Sequence, residues 1–545
     1  MTLQPKNVFL SRGEGKYGRY TIILIFISLL IRGLLAWLLE LGNDEVYYWT
    51  YALYPDWSHF DHPPMVGLLI WLTTQNLLLD QEFFLRLSSV LLGGVNTWLI
   101  YRIGNHLKNP QAGFYAALLY TTSIYGFVIA GIFILPDTPQ LFFWILSLLL
   151  LLRILPDREL TAKNRRLLLL AGLTIGLALL SKYTSALLWI ATGIYILLYN
   201  RNWLKTTELY VSVLISALIF MPVIYWNYQH HFISFTFHGD RVSLFSSGIR
   251  PDFFFTELAG QILYNNPVNF VIIVFAVLAI WKKKIGLTPD LTNILLLTSL
   301  PLIGIFLFFA LFRQTLPHWS GPGYISLIVL AAVHLSRKND EKRSFLPLPL
   351  LLSAGLLIAG LSIGMAEIKT GLVGQPAVED PKKLGRHDVT LDMSGWKAFG
   401  EEFRRLRIDD IAAGEMSAMA PIIITRWFPG AHLDFYVARP SRQNVIAVGE
   451  LKNLHKYAWI NRLRPGLYPT SDAYYITSSR DFKDPLPTLS PYFTEIEEPV
   501  IIQGFKGEKH VRNFFIYRLK RCHTLPPDIL EANGIELDFP KKNYN

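Results

Sequence analysis

The chain has 545 residues, 52% hydrophobic and 17% charged, with a mean hydropathy of +0.32 and a formal net charge of +10. That apolarity excludes a soluble protein of this size and indicates a polytopic membrane protein. The single cysteine, Cys522, rules out an internal disulfide framework and any Cys-rich metal site.

Apolar runs long enough to cross a bilayer begin at residues 20–41, too long for a signal-peptide core and without a small-residue cleavage site, so this span is retained. Further spans are expected near 83–104, 111–130, 135–153, 166–181, 183–200, 207–226, 266–281, 290–311, 319–336 and 345–365, eleven in all with the first. The run 64–79 is short and ends in Thr73, Thr74, Gln75 and Asn76, which reads as a re-entrant or interfacial helix. Charge supports that choice. With eleven spans, Lys6, Arg12, Lys16, Arg19, then Arg153 to Arg166, Arg201, Lys205, Lys282 to Lys284 and Arg337 to Arg343 all face the cytoplasm, as the positive-inside bias requires. Counting 64–79 as a span would move nearly all the later clusters outside. The net charge is thus mostly orientation, and a nucleic-acid partner has little support.

On this topology the outer face receives 42–64, 131–137, Lys182 with Tyr183, the loop 227–265, Arg313 to Trp319 and everything beyond about 366. The chain therefore divides into a membrane domain, 1–365, and an extracytoplasmic soluble α/β domain, 366–545. In the latter, Gly395 to Arg407 has helical spacing, and Ile422–Ile424, Leu433–Val437, Val445–Val448, Tyr474–Thr477 and Phe514–Tyr517 read as strands. It shows no internal repeat and no Gly-rich phosphate loop.

Unusual polar residues collect on the outer face. Asp44 and Glu45, after the first span, suit an N-cap and first-turn acid, or catalysis. Neighbours on a helix point about 100° apart, so one carboxylate is expected to act while the other supports. Asp61-His62-Pro63-Pro64 is either a rigid turn or a device that holds Asp61 and His62 toward a metal or a phosphate. Pro136-Asp137-Thr138-Pro139 has the composition of a helix start. Lys182, alone between two apolar runs, must reach water or an anion. The loop with His230, His231, His238, Asp240 and Arg241 suits an aromatic surface anchor or a lid, and His318-Trp319 an aromatic belt contact. Asp61 and the histidines could support a divalent ion, but their spacing does not demand one.

Carboxylates, histidines and cations on one membrane face suit glycosyl transfer from a lipid-linked phosphate sugar, which needs a base for the acceptor hydroxyl and cations for the departing phosphate. The acidic pair after the first span, the Pro-Pro about twenty residues on, Pro-Asp-Thr-Pro before a span, Leu-Ser-Lys-Tyr-Thr at 180–184 and the outer soluble domain together resemble the glycosyltransferases of the C superfold. The resemblance is to the branch of protein O-mannosyltransferases and lipid A aminoarabinose transferases. It runs over the whole membrane region and is diffuse beyond it.

That resemblance implies an inner-membrane enzyme using a polyprenyl-phosphate sugar, inverting at the anomeric carbon, with a lipid, glycan or protein acceptor outside. Asp44 matches the first-loop aspartate that activates or orients the acceptor, and Glu45 its acidic neighbour. Asp61 and His62 fall where aminoarabinose transferases carry Glu-Lys, with roles at a metal and at the donor phosphate. The histidine here replaces a lysine and at neutral pH is charged only in part. Lys182, His238 and Arg241 match residues implicated at donor phosphate. A lipid-linked sugar transporter would instead bury charges mid-span and show paired repeats of spans. A non-catalytic membrane anchor leaves the polarity of Lys182 and of 42–64 unexplained.

Overall fold

The computed structural model describes residues 15–242, 248–342, 345–374 and 378–535, with the side chains of 240–242 and 341–342 outside that description. Contacts divide the chain into two compact units. The membrane unit comprises residues up to 37, 62–224 and 239–359; the carboxyl-terminal unit comprises 38–61, 225–238 and the chain from 360 onward. The second unit thus takes in two short segments that lie far upstream of 366 in the sequence.

In the membrane unit every expected apolar run is helical. Among the described residues seven spans have the length and hydropathy to cross a bilayer: α1 (Gly15–Leu38), α4 (Glu82–Leu107), α6 (Asp137–Ile154), α9 (Thr207–Gln229), the pair α13 (Pro289–Leu297) with α14 (Leu300–Ala310), a span ending in α15 (Gly321–Lys342), and α16 (Leu348–Thr370). The pair α11 (Pro251–Tyr264) and α12 (Pro267–Trp281), bent by 98°, makes an eighth if it is one span. The other three of the eleven runs fall short for local reasons. Run 111–130 is α5 (Pro110–Thr122) followed by a π-turn at Tyr125–Ile129. Run 166–181 lies in α7 (Ala162–Leu179), which opens on Lys163, Arg165 and Arg166. Run 183–200 is the shorter α8 (Ala186–Tyr199). The run 64–79 is α3 (Met65–Thr73), whose nine residues are too few to span.

Local chemistry sets the helix starts. Pro110, Pro251, Pro267 and Pro289 occupy first-turn positions, where the missing N–H costs nothing. The Asn109, Thr161 and Thr288 side chains cap α5, α7 and α13. The sharp bend before α12 rests on Asn266 at φ 68°, whose amide donates to Thr122 O and Ser353 O, both at 3.0 Å. Nearby, Ser353 Oγ donates to Asn269 Oδ1 at 2.6 Å and to Thr122 Oγ1 at 2.7 Å, so α5, α12 and α16 are held by polar groups that lipid could not satisfy. Where α4 meets α5, a Cβ on Gly113 would stand 2.5 Å from Tyr101 O, so only glycine permits that approach.

The carboxyl-terminal unit is built on a six-stranded mixed sheet of order β2-β1-β3-β6-β4, with β5 also paired to β6. Its strands are β1 (Ile422–Ile424), β2 (Val445–Ala447), β3 (Ala473–Ser478), β4 (Phe493–Ile496), β5 (Val500–Lys506) and β6 (Lys509–Cys522). β1 pairs in parallel with β2 and β3, and the remaining pairings are antiparallel. Helix α17 (Trp396–Ala412) covers it, with Phe399 stacked on Phe514 at 3.7 Å. Leu433–Val437, expected as a strand, lies in a π-helical turn, Leu433–Ala438. A short run buried at every position, its one acid Asp434 included, has no period that separates strand from helix. Its side chains pack instead on the upstream segment 38–61: Trp49 meets Phe435 edge-on at 5.2 Å, and Tyr436 OH accepts from Leu41 N at 2.7 Å.

His432 ties the same segment down. It stacks on Trp396 at 4.4 Å and donates from Nε2 to Asp392 O at 2.9 Å and Leu41 O at 3.1 Å. Burial lowers its pKa to about 3. An unfolded imidazole takes up its proton near pH 6.5, whereas the folded one waits until about pH 3, so its contribution to stability is lost as pH falls through that window. Thermal melts of the full chain in detergent between pH 7.5 and 5 should show His432→Gln losing less stability on acidification than the wild type. Parallel curves for the two proteins would refute this.

Candidate functional site

The first-loop residues are positioned by α2 (Asn43–Leu53). Glu45 is 2% exposed, and its Oε2 accepts from Gly42 N at 2.8 Å, capping the helix start from its third residue. Asp44, one residue earlier, is exposed. The two carboxylates thus face different surroundings, as adjacent helical positions require.

Asp61 is buried, with its carboxylate bound by phenols one helical turn apart. Tyr47 OH donates to Oδ1 at 2.9 Å, and Tyr51 OH donates to the same oxygen. Burial and the Asp61 charge push both phenols well above their usual pKa. The backbone carbonyl of Asp61 accepts from His238 Nε2 at 2.7 Å, and His455 Nδ1 stands 4.0 Å from Oδ2. Beside them the buried Lys456 places Nζ 2.9 Å from His59 Nδ1 and 2.5 Å from Tyr54 O. His230 is an anchor: its ring stacks on Trp226 at 3.9 Å, and Trp226 Nε1 donates to Asp56 at 2.8 Å. All these residues belong to the carboxyl-terminal unit.

Asp61 closes a segment of that unit and His62 opens one of the membrane unit, so two consecutive candidates belong to different units. In the membrane unit Lys182 Nζ lies 2.8 Å from Asp137 Oδ2, and both side chains are almost wholly buried. Tyr125 OH donates to Asp137 Oδ1 at 3.3 Å. Asp137 therefore does not cap the helix it begins. Its carboxylate serves Lys182, while Thr138 Oγ1 donates to Phe133 O. Gln140 Nε2 donates to Thr184 Oγ1 at 2.7 Å and Ser185 Oγ at 3.1 Å, pinning the segment after Lys182. His62 and His318 act electrostatically on Asp137, and the His318 ring stacks on Tyr264. A second buried carboxylate of this unit, Glu257, accepts from Gln261 and Thr315, both at 2.8 Å.

An ion pair buried at the end of apolar spans needs a reason, because taking both charges out of water costs several kcal/mol each. The arrangement can present an ammonium, held in place by its carboxylate, to an anionic group. Among the described residues no three His, Cys, Asp or Glu are grouped to hold a metal ion. Two phenols engage Asp61 Oδ1. The Arg241 side chain lies outside the described residues. Sequence reasoning missed Tyr51, His59, His455 and Lys456 as partners of the first loop. Nothing in the local pattern of 451–460 marks the last two as other than surface residues of a soluble domain.

Residues 61–226 match the family model described as dolichyl-phosphate-mannose-protein mannosyltransferase. The chain is 24% identical over 291 residues to the lipid A galacturonosyltransferase RgtD of Rhizobium johnstonii, an alignment covering 53% of this chain and 59% of that relative's length. The fold is similar to that of ArnT from Cupriavidus metallidurans bound to undecaprenyl phosphate, with a TM-score of 0.57 at 16% identity over 91% of this chain and 98% of that one. The apo state of the same protein gives 0.54 at 14% identity over 92% and 98%. The comparisons agree with the resemblance drawn from the sequence: residues 61–226 match a mannosyltransferase family model, and the fold, membrane helices followed by a carboxyl-terminal sheet domain, is similar to that of ArnT.

Removing either partner of the Asp137–Lys182 pair leaves an uncompensated buried charge, with an expected loss of about 3–5 kcal/mol. In detergent melts, Lys182→Met and Asp137→Leu should each lower the midpoint strongly, and the double variant should recover much of the loss. Additive losses in the double variant would show that the two groups are not coupled.

Proposed function

We propose that this chain is an integral-membrane glycosyltransferase that moves a sugar from a polyprenyl-phosphate donor to a hydroxyl of an extracytoplasmic acceptor, with inversion. The observation that carries the reading is the buried Lys182–Asp137 pair, an oriented cation at the end of apolar helices that suits the phosphate of a lipid-linked donor. The undecaprenyl phosphate held by ArnT and the lipid A substrate named for RgtD support a lipid-linked donor and an envelope acceptor.

In this reading the acceptor oxygen attacks the anomeric carbon as the bond from that carbon to the phosphate oxygen breaks, and polyprenyl phosphate leaves. Asp44 takes or orients the acceptor's proton, which its exposure permits. Glu45 supports it by fixing the start of α2. Lys182, His62, His238 and Arg241 are the donor-phosphate residues, with His238 oriented by its bond to Asp61 O. In this reading the chemistry and the carboxyl-terminal domain lie on the outer side of the inner membrane, an orientation that the distribution of lysine and arginine supports.

Membranes containing the chain and a polyprenyl-phosphate sugar should transfer sugar to an envelope acceptor, and Asp44→Asn should lower the rate by about 10²–10⁴-fold at unchanged protein abundance. Mass spectrometry of the glycolipids and glycoproteins formed reads both the rate and the acceptor. Transfer at the wild-type rate by Asp44→Asn would overturn the assignment of the base. Movement of the lipid-linked sugar across the bilayer without transfer would replace the enzyme reading by a transporter.

A further inference from the structure

His455 has a backbone that glycine would adopt freely and other residues rarely do, with φ at 52° and ψ at −131°. Such a conformation persists only where the surroundings over-determine it, and here they do. The ring is set among Phe60 at 4.8 Å, Phe237 at 5.1 Å and Trp427 at 5.5 Å, with Nδ1 4.0 Å from Asp61 Oδ2. The next residue continues the pattern. Lys456 N donates to Tyr47 OH at 3.3 Å, the same phenol that donates to Asp61, and its Nζ reaches Tyr54 O and His59 Nδ1. Its Nζ also stands 4.7 Å from the centre of the Tyr51 ring. Two consecutive residues thus touch five members of the first loop, Tyr47, Tyr51, Tyr54, His59 and Asp61.

A purely structural tie between these segments needs no ammonium. Apolar side chains of the same volume would bury more cheaply than a lysine at 5% exposure, whose amine burial pushes well below its usual pKa. What the pair provides that apolar packing cannot is direction: donors and an imidazole aimed at named atoms of Tyr54, His59 and Asp61.

We propose that His455 and Lys456 are positioning residues for the transfer reaction, orienting the Asp61 carboxylate and the His59 ring of the first loop from within the carboxyl-terminal domain. The inference rests on the glycosyltransferase reading above. It assigns to the carboxyl-terminal domain a share in organising the chemistry rather than in display or acceptor capture alone.

The test uses the full chain in detergent with a polyprenyl-phosphate sugar and an acceptor. Lys456→Met keeps the volume and removes the directed polar contacts. It should lower kcat on the order of 100-fold, the effect of a misplacement of about 1 Å, while both KM values stay within about threefold and the melting temperature does not fall. Should that variant fail to fold, His455→Gly, which removes the ring and eases the positive φ, carries the same test with the same expected split. A kcat within threefold of wild type, or a kcat loss matched by an equal loss of folded protein, overturns the positioning role. Wild-type protein that transfers no sugar from any polyprenyl-phosphate donor overturns the glycosyltransferase reading and this inference together. An active wild type with unaffected variants overturns this inference alone.

Discussion

A charge taken out of water must find its opposite, and in this molecule that requirement organises the membrane unit. Lys182 sits between two apolar helices where neither bilayer nor packing would tolerate a lone ammonium, and Asp137 meets it at 2.8 Å from the first turn of a different span. The same rule acts on uncharged groups. Asn266, Asn269, Ser353 and Thr122 satisfy one another where α5, α12 and α16 pass, and Gln140 secures Thr184 and Ser185 beside the ion pair. The polar residues of the bundle are therefore joints, and one of the joints carries the cation on which the proposed donor binding depends.

In the carboxyl-terminal unit the first loop is treated in the same way. Tyr47 and Tyr51, a turn apart on α2, close on Asp61, and His238, His455 and Lys456 approach from two other segments of chain. The sheet domain takes up residues 38–61 and 225–238 as part of its own fold. Its π-turn at Leu433–Ala438, His432 and the strained His455 are spent on holding that upstream segment.

Some of this was legible in the sequence and some was not, for identifiable reasons. The eleven apolar runs were all found as helices because a bilayer forces long apolar stretches to be helical, whatever they pack against. Lys182 stood out because a lysine there has no cheap explanation. Asp137 was read as part of a helix start, since Pro-Asp-Thr-Pro satisfies every local rule for one, and nothing local says that its carboxylate faces a residue 45 positions away. Leu433–Val437 was misread as a strand because a buried run of that length has no distinguishing period.

The sequence by itself determined the membrane class, the positions of the apolar helices, the resemblance to the C superfold and the shortlist of polar residues, because hydropathy and charge act along the chain and need no partner to be read. Only the tertiary structure decided what those residues do with one another: that Glu45 caps its own helix, that Lys182 is shared with Asp137, and that Asp61 is held by two tyrosines and approached by His455. Apart from the Glu45 cap, which is local, those are pairings across ten to several hundred residues, and they depend on the fold that brings the partners together.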